Sequence, residues 1–185
     1  MRFIFLDRDG VINKYPGDRK YVTRLRDFRF LPGSLRAIRL LTRAGYHIFV
    51  ISNQAGVTKG LYSKETLDKM TDHMLTQARR QGGRIEKALY CLHTDAMNCS
   101  CRKPKDGLLK QATAGQKVDK NNSYFIGDSL RDVKAGKLFG CKTILALSGR
   151  EKLENAGSWD VLPDFIAKNL LDAARHIVGN KYERA

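Results

Sequence analysis

The sequence predicts an α/β fold: a mainly parallel sheet with helices on both faces. Two observations carry that prediction. Short apolar, β-prone runs alternate with stretches of helical period along the whole chain. Three of the apolar runs stop at polar or acidic residues, where open parallel sheets gather their ligands. No internal repeat, low-complexity tract or linker divides the 185 residues, so they read as one domain, long enough to bury a core without staples.

The first strand is expected over Arg2 to Leu6, a five-residue apolar run that stops at Asp7-Arg8-Asp9-Gly10. A polar loop through Lys20 follows, with turn chemistry at Tyr15-Pro16-Gly17-Asp18. Pro32-Gly33-Ser34 introduces a helix whose Leu35, Ile38, Leu40 and Leu41 fall at helical spacing, and Gly45 ends it. Tyr46 to Ile51 repeats the strand pattern and gives way to Ser52-Asn53-Gln54-Ala55-Gly56. A helix is expected from Ser63 to Gln81, with Gly82-Gly83 behind it. Ala88 to Cys91 makes a short strand, Gly107 to Ala114 a helix, and Ser123 to Ile126 a strand that stops at Gly127-Asp128-Ser129-Leu130-Arg131-Asp132. Leu130 to Phe139 is expected to be helical, Lys142 to Leu147 extended, and Asp164 to Val178 a closing amphipathic helix.

Composition narrows the function. At 42% hydrophobic and 29% charged residues the chain is an ordinary globular one, and no apolar run approaches membrane-spanning length. The apolar start is too short for a signal peptide, so a cytoplasmic protein is expected, with a monomer as the default. The net charge of +15 is uneven, with 13 units held by residues 14–43 and 102–142. Such a field favours anionic ligands, phosphorylated metabolites or nucleic acid. No arginine-rich tail, zinc-finger helix or aromatic-basic repeat accompanies it, which argues against nucleic acid.

The chemistry lies in the strand ends. Asp7 and Asp9 are two apart, so in an extended chain they share a face and can meet one cation or one phosphate. A parallel sheet brings Asp7/Asp9, Ser52/Asn53 and Asp128/Asp132 to one rim, with Arg102/Lys103 on the connection between the last two. This is a set for phosphoryl transfer. Oxygen ligands on Asp7 and Asp128 suit Mg²⁺. Either Asp7 or Asp9 can attack phosphorus while the other moves protons. Ser52 holds phosphate oxygens and Lys103 offsets the charge that grows during transfer. Separately, Cys91, Cys99 and Cys101 crowd into eleven residues around His93, a spacing that points to metal rather than disulfides. Cys141 sits inside a strand pattern and reads as core, and His47, His73 and His176 as surface or packing residues.

These four motifs, in this order, resemble those of the haloacid dehalogenase-like phosphatases. The resemblance is closer still to the D-glycero-D-manno-heptose 1,7-bisphosphate 7-phosphatases within them. It spans nearly the whole chain, through Phe-Leu-Asp-Arg-Asp-Gly-Val-Ile-Asn, Tyr21-Val22, Ser-Asn-Gln-Ala-Gly-Val, the Cys-x-His…Cys-x-Cys-Arg-Lys-Pro block and Gly-Asp-Ser. It implies a Rossmann-like fold without a large cap domain. It implies Asp7 as nucleophile, Asp9 as general acid/base, and Mg²⁺ on Asp7, the Asp9 backbone carbonyl and Asp128. It further implies Ser52 and Lys103 on the transferring phosphoryl group, and Asn53 and Arg102 on a phosphorylated sugar. Gly17 and Tyr21 are candidates for that sugar from the 13–22 loop. Cys91, His93, Cys99 and Cys101 resemble the family's structural Zn²⁺ site, a closed site that would staple the loop carrying Arg102 and Lys103. The reaction implied is removal of the 7-phosphate in nucleotide-activated heptose synthesis for lipopolysaccharide core or surface glycans. Histidinol-phosphate phosphatase, a nucleic-acid 3′-phosphatase and an inactive phosphate-binding relative are the alternatives. Three departures stand out: a short His93–Cys99 loop, a longer 13–21 stretch, and Ser129 where many relatives carry Lys.

Overall fold

A computed structural model describes residues 1–18 and 20–179, so Arg19 of the 13–22 loop lies outside the described residues. Six parallel strands form one sheet: β1 (Phe3–Leu6), β2 (His47–Asn53), β3 (Lys87–Cys91), β4 (Tyr124–Gly127), β5 (Lys142–Ala146) and β6 (Phe165–Ala167). Their order across the sheet is β3-β2-β1-β4-β5-β6. The chain builds outward from β1 on one side, then crosses and builds outward on the other. The crevice of such a reversal opens at the carboxyl ends of the central strands, here β1 and β4.

Alternation along the strands splits the core into two layers. Ile4, Leu6, Ile48, Val50, Ile126 and Ile144 face α1 (Ser34–Arg43), α2 (Lys64–Arg80) and α5 (Leu170–Val178). Phe3, Phe5, Phe49, Ile51 and Phe125 face the other way, toward α3 (Gly107–Ala112) and α4 (Leu130–Phe139). Phe5 packs edge-on against Phe125 and Phe139. Burying one such ring contributes roughly 2–3 kcal/mol, which helps fix β1 as the central strand. In α2, Leu67, Met70, Met74 and Ala78 form the inward stripe, and the Ser63 hydroxyl accepts the Thr66 amide at its start. No helix among the described residues is long and apolar enough to cross a membrane.

One element departs from expectation. The closing helix was expected from Asp164, but Phe165–Ala167 is strand β6, paired with β5 from Ile144 to Ala146. Helix α5 starts only at Leu170, after Asn169, whose side chain accepts the Asp172 amide. A three-residue apolar run fits a strand or a helix turn equally well. The free edge of β5 and the Asn169 cap settle it. Cys141 is buried, as expected of a core residue; His73 packs against Phe28 and Phe30, His176 stacks on Phe165, and His47 meets Glu86.

Candidate active site

The site begins where β1 stops. The Asp7 amide still donates to Ile126 O of β4 (3.0 Å), so Asp7 is held by the sheet although its carboxylate has left it. That carboxylate accepts from the Arg8 amide at 2.8 Å and pairs with Lys103 Nζ at 3.0 Å. Gly10 then turns the chain back with φ of 84°, a region that favours glycine. A Cβ there would come within 2.1 Å of Asp128 Oδ2, so the glycine also lets the β1 and β4 ends close together.

Asp128 and Asp132 complete a buried carboxylate cluster with Asp7, their ligand atoms all within 4.8 Å of one another. Asp128 Oδ2 accepts the Arg150 amide at 2.8 Å. Asp132 ties down the start of α4 by accepting both the amide and the hydroxyl of Ser129. Its other oxygen meets Lys103 Nζ at 2.6 Å. Lys103 also donates to Ile51 O at 2.9 Å, so one buried ammonium bridges two carboxylates and the β2 backbone. Three carboxylates therefore face one cation. Burial raises the Asp7 carboxyl to about 6; Lys103 opposes the rise and Asp132 adds to it. Burial, then Asp7 and Asp132, also push Asp128 well above the ordinary carboxylate range. A hard divalent cation relieves this surplus of negative charge, so the residues present fit Mg²⁺.

Asp9 has a different setting. Its side chain turns from the cluster to Arg8, which meets both carboxylate oxygens (2.9–3.3 Å). Asn13 Nδ2 and Gln54 Nε2 each donate to it at 2.8 Å. The carboxylate that completes the cluster is thus Asp132, and any contribution of Asp9 to a cation there comes through its backbone carbonyl.

An open pocket of about 150 Å³ lies over these groups, lined by Asp7, Asp9, Ser52, Asn53, Arg102, Lys103 and Asp128. Tyr21 lines it too, with Tyr15, Pro16 and Lys20. Gly17 lies in the turn next to them without lining the pocket. Asn53 is engaged twice with the Lys103 backbone (3.1 Å each), an arrangement that seats the Arg102-Lys103 loop. Arg102 is held by Asp95 and by His93 O. Sequence reasoning missed Arg131 and Arg150, which line the mouth. Arg150 follows the end of β5, so extending the strand-end rule to a fourth strand would have found it.

The cysteine loop leaves the end of β3 at the same rim. Cys101 Sγ lies 3.2 Å from Cys91 Sγ, 3.4 Å from Cys99 Sγ and 3.3 Å from His93 Nδ1. Cys91 Sγ lies 3.6 Å from Cys99 Sγ and 3.7 Å from His93 Nδ1. Ligands about 2.0–2.3 Å from a tetrahedral zinc stand roughly 3.3–3.8 Å apart, so the set fits that ion. Crowding splits the thiols. Burial, then the hydrogen bonds that the Cys91 thiol shares with Cys101 and Cys99, push Cys91 up to about 12. Burial opposes ionisation at Cys99, but the donors around it, Cys101 first, bring it down to about 6.

The HAD-hydrolase-like family model matches residues 100–173. A D-glycero-beta-D-manno-heptose-1,7-bisphosphate 7-phosphatase of Neisseria meningitidis serogroup A is 35% identical over 180 residues, covering 96% of this chain and 95% of the relative. A D-glycero-alpha-D-manno-heptose-1,7-bisphosphate 7-phosphatase of Campylobacter jejuni is 38% identical over 149 residues, covering 80% and 84%. Among solved structures, the D,D-heptose 1,7-bisphosphate phosphatase of B. bronchiseptica, complexed with magnesium and phosphate, superimposes with a TM-score of 0.88. It is 32% identical, and the match covers 96% of this chain and 98% of that one.

Proposed function

This chain belongs to the heptose-bisphosphate 7-phosphatase family of haloacid dehalogenase-like hydrolases, and from that premise we propose that it is an Mg²⁺-dependent phosphomonoesterase releasing the 7-phosphate of D-glycero-D-manno-heptose 1,7-bisphosphate. One observation carries the reading. Two carboxylates at the end of β1 sit in opposite settings, Asp7 against Lys103 and Asp9 within a set of neutral and cationic donors, beneath a mouth lined by Lys20, Arg102, Arg131 and Arg150. Carboxylates held apart in this way take different roles, and the cations at the mouth, where Arg102 and Arg131 share Asp95 and Arg150 pairs with Asp18, leave net positive charge for a second phosphate.

Asp7 attacks phosphorus and forms an aspartyl-phosphate, while Asp9 gives its proton to the departing sugar oxygen. Asp9 then takes a proton from the water that attacks phosphorus, and inorganic phosphate leaves with Asp7 restored. Lys103 and Ser52 steady the phosphoryl oxygens. Asp7, the Asp9 backbone carbonyl and Asp128 would hold Mg²⁺, which would supply Lewis-acid charge at the phosphoryl group. Arg102, Arg131, Arg150 and Lys20 receive the second phosphate, and Tyr15 and Tyr21 flank the sugar.

We read Cys91, His93, Cys99 and Cys101 as a structural Zn²⁺ site. The support is its closed ligand set and the grip of the same loop on Arg102 through His93 O and Asp95.

The test is a side-by-side phosphate-release assay on both anomers of heptose 1,7-bisphosphate, histidinol phosphate and a 3′-phosphorylated oligonucleotide. The bisphosphate should lead in kcat/KM by at least about tenfold, one cation–phosphate contact's worth. Preference for histidinol phosphate, or for the oligonucleotide with steep salt dependence, overturns the reading.

A further inference from the structure

Three buried residues in the Asp9 neighbourhood have no part in the chemistry above: Gln54, Tyr62 and Asn13 are 0%, 7% and 0% exposed. Gln54 Nε2 donates to Asp9 Oδ2 at 2.8 Å and to Ser52 Oγ at 3.1 Å. Ser52 in turn lines the pocket with Asp7. The Gln54 amide nitrogen thus stands between Ser52 and the acid/base. Which end of the amide faces Asp9 is chemically critical. A reversed amide would set its carbonyl oxygen against a carboxylate and leave Ser52 without that donor.

The Asp9 carboxylate, which only accepts, takes the NH₂ end, and the Tyr62 hydroxyl completes that orientation by donating to Gln54 Oε1 at 2.5 Å. The Tyr62 ring packs against Tyr21 of the pocket mouth, centroids 6.3 Å apart. Both rings close on Gly56, where a Cβ would come within 2.4 Å of Tyr62 and 3.0 Å of Tyr21. Asn13 Nδ2 and the Arg8 guanidinium fill the other side of Asp9.

We propose that Tyr62 and Gln54 are positioning residues for the acid step, a chain Tyr21–Tyr62–Gln54–Asp9 that fixes the rotation of the Asp9 carboxyl where it lines the pocket. Neither touches the phosphate. The proposal rests on the assignment of Asp9 as general acid/base, and it sharpens that assignment.

Leaving-group chemistry separates this role from simple scaffolding. An alkyl phosphate needs its departing oxygen protonated as the P–O bond breaks and the O–H bond forms, whereas 4-nitrophenolate departs with little help. Tyr62→Phe keeps the ring packing and removes the donor. Its ratio of kcat/KM on a sugar phosphate to kcat/KM on 4-nitrophenyl phosphate, which reports the steps up to departure of the leaving group and not the hydrolysis of the shared aspartyl-phosphate, should fall about fivefold. Gln54→Leu should lower the ratio further, and Asp9→Asn most of all. A uniform loss on both substrates in Tyr62→Phe and Gln54→Leu, with the ratio still falling in Asp9→Asn, overturns the positioning role and leaves the acid assignment standing. An unchanged ratio in Asp9→Asn overturns that assignment and the proposal with it. Circular dichroism and melting of each variant exclude misfolding as the source of a loss.

Discussion

Two metal-fitting clusters stand on the same rim, built by opposite means. Asp7 and Asp128 follow strand ends far apart in sequence, Asp132 sits in the first turn of α4, and all three are buried in the frame of the sheet. Cys91, His93, Cys99 and Cys101 come from one short loop and, apart from Cys91, are only half-buried. The first cluster carries more charge than its surroundings balance, with Asp7 and Asp128 pushed toward the neutral form. The second consists of soft ligands that hold one another. Charge stored in a rigid frame suits chemistry, and a small loop closed by its own ligands suits a staple.

The largest effect that bears on this contrast is expected at Asp7. Asp7→Asn should lower Mg²⁺-dependent phosphate release by roughly 10⁴-fold or more while leaving the melting temperature no lower, because it removes a raised, poorly balanced carboxylate. Undiminished turnover would break the nucleophile assignment.

Next comes Asp132→Ala, which strands the buried Lys103 with one carboxylate fewer. A destabilisation of about 3 kcal/mol, or about 6–12 °C in thermal melting, is expected together with loss of activity. Melting unchanged within a degree would show that the cluster is not held as the hydrogen bonds imply.

At the other cluster, Cys99→Ser should leave purified protein without stoichiometric zinc by metal analysis. It should also lower the melting temperature by about 5 °C and kcat/KM by about tenfold as Arg102 and Lys103 lose their seat. Wild-type protein free of zinc, with every thiol titratable by a chromogenic disulfide, would end the staple reading.

The smallest effect lies at Asp164, a carboxylate with the opposite balance. Burial alone would raise it, but Lys137 and the amide and hydroxyl of Thr143 hold it below the ordinary range. A folded pKa below the unfolded one stabilises above the ordinary carboxylate pKa and ceases to do so as pH falls through the lowered value. Asp164 is partly exposed, so Asp164→Asn should cost only about 2 °C at pH 7, and the gap to wild type should close as pH falls below the ordinary carboxylate range. A gap that persists there would refute the linkage.

Most of the site was legible before any coordinates. Strand ends are where parallel sheets place ligands, so Asp7, Asp9, Ser52 and Asp128 announce themselves, and four soft ligands within eleven residues announce a metal loop. The inward turn of the Asp9 side chain was not legible, because its partners Arg8, Asn13 and Gln54 come from two segments whose approach depends on the fold. Strand β6 was hidden for a related reason: three apolar residues carry no period of their own, and the open edge of β5 decided their state.

The amino-acid sequence by itself therefore determined the α/β class, the order of the first five strands along the chain and the kinds of chemistry at their ends. Periodicity and side-chain type are local properties. Tertiary structure alone decided which carboxylate joins the cluster, which one turns to Arg8, and which cations crowd the mouth. Those are matters of how separate segments approach one another, such as Gly10 against Asp128, where a single methyl group would have kept β1 and β4 from closing on each other.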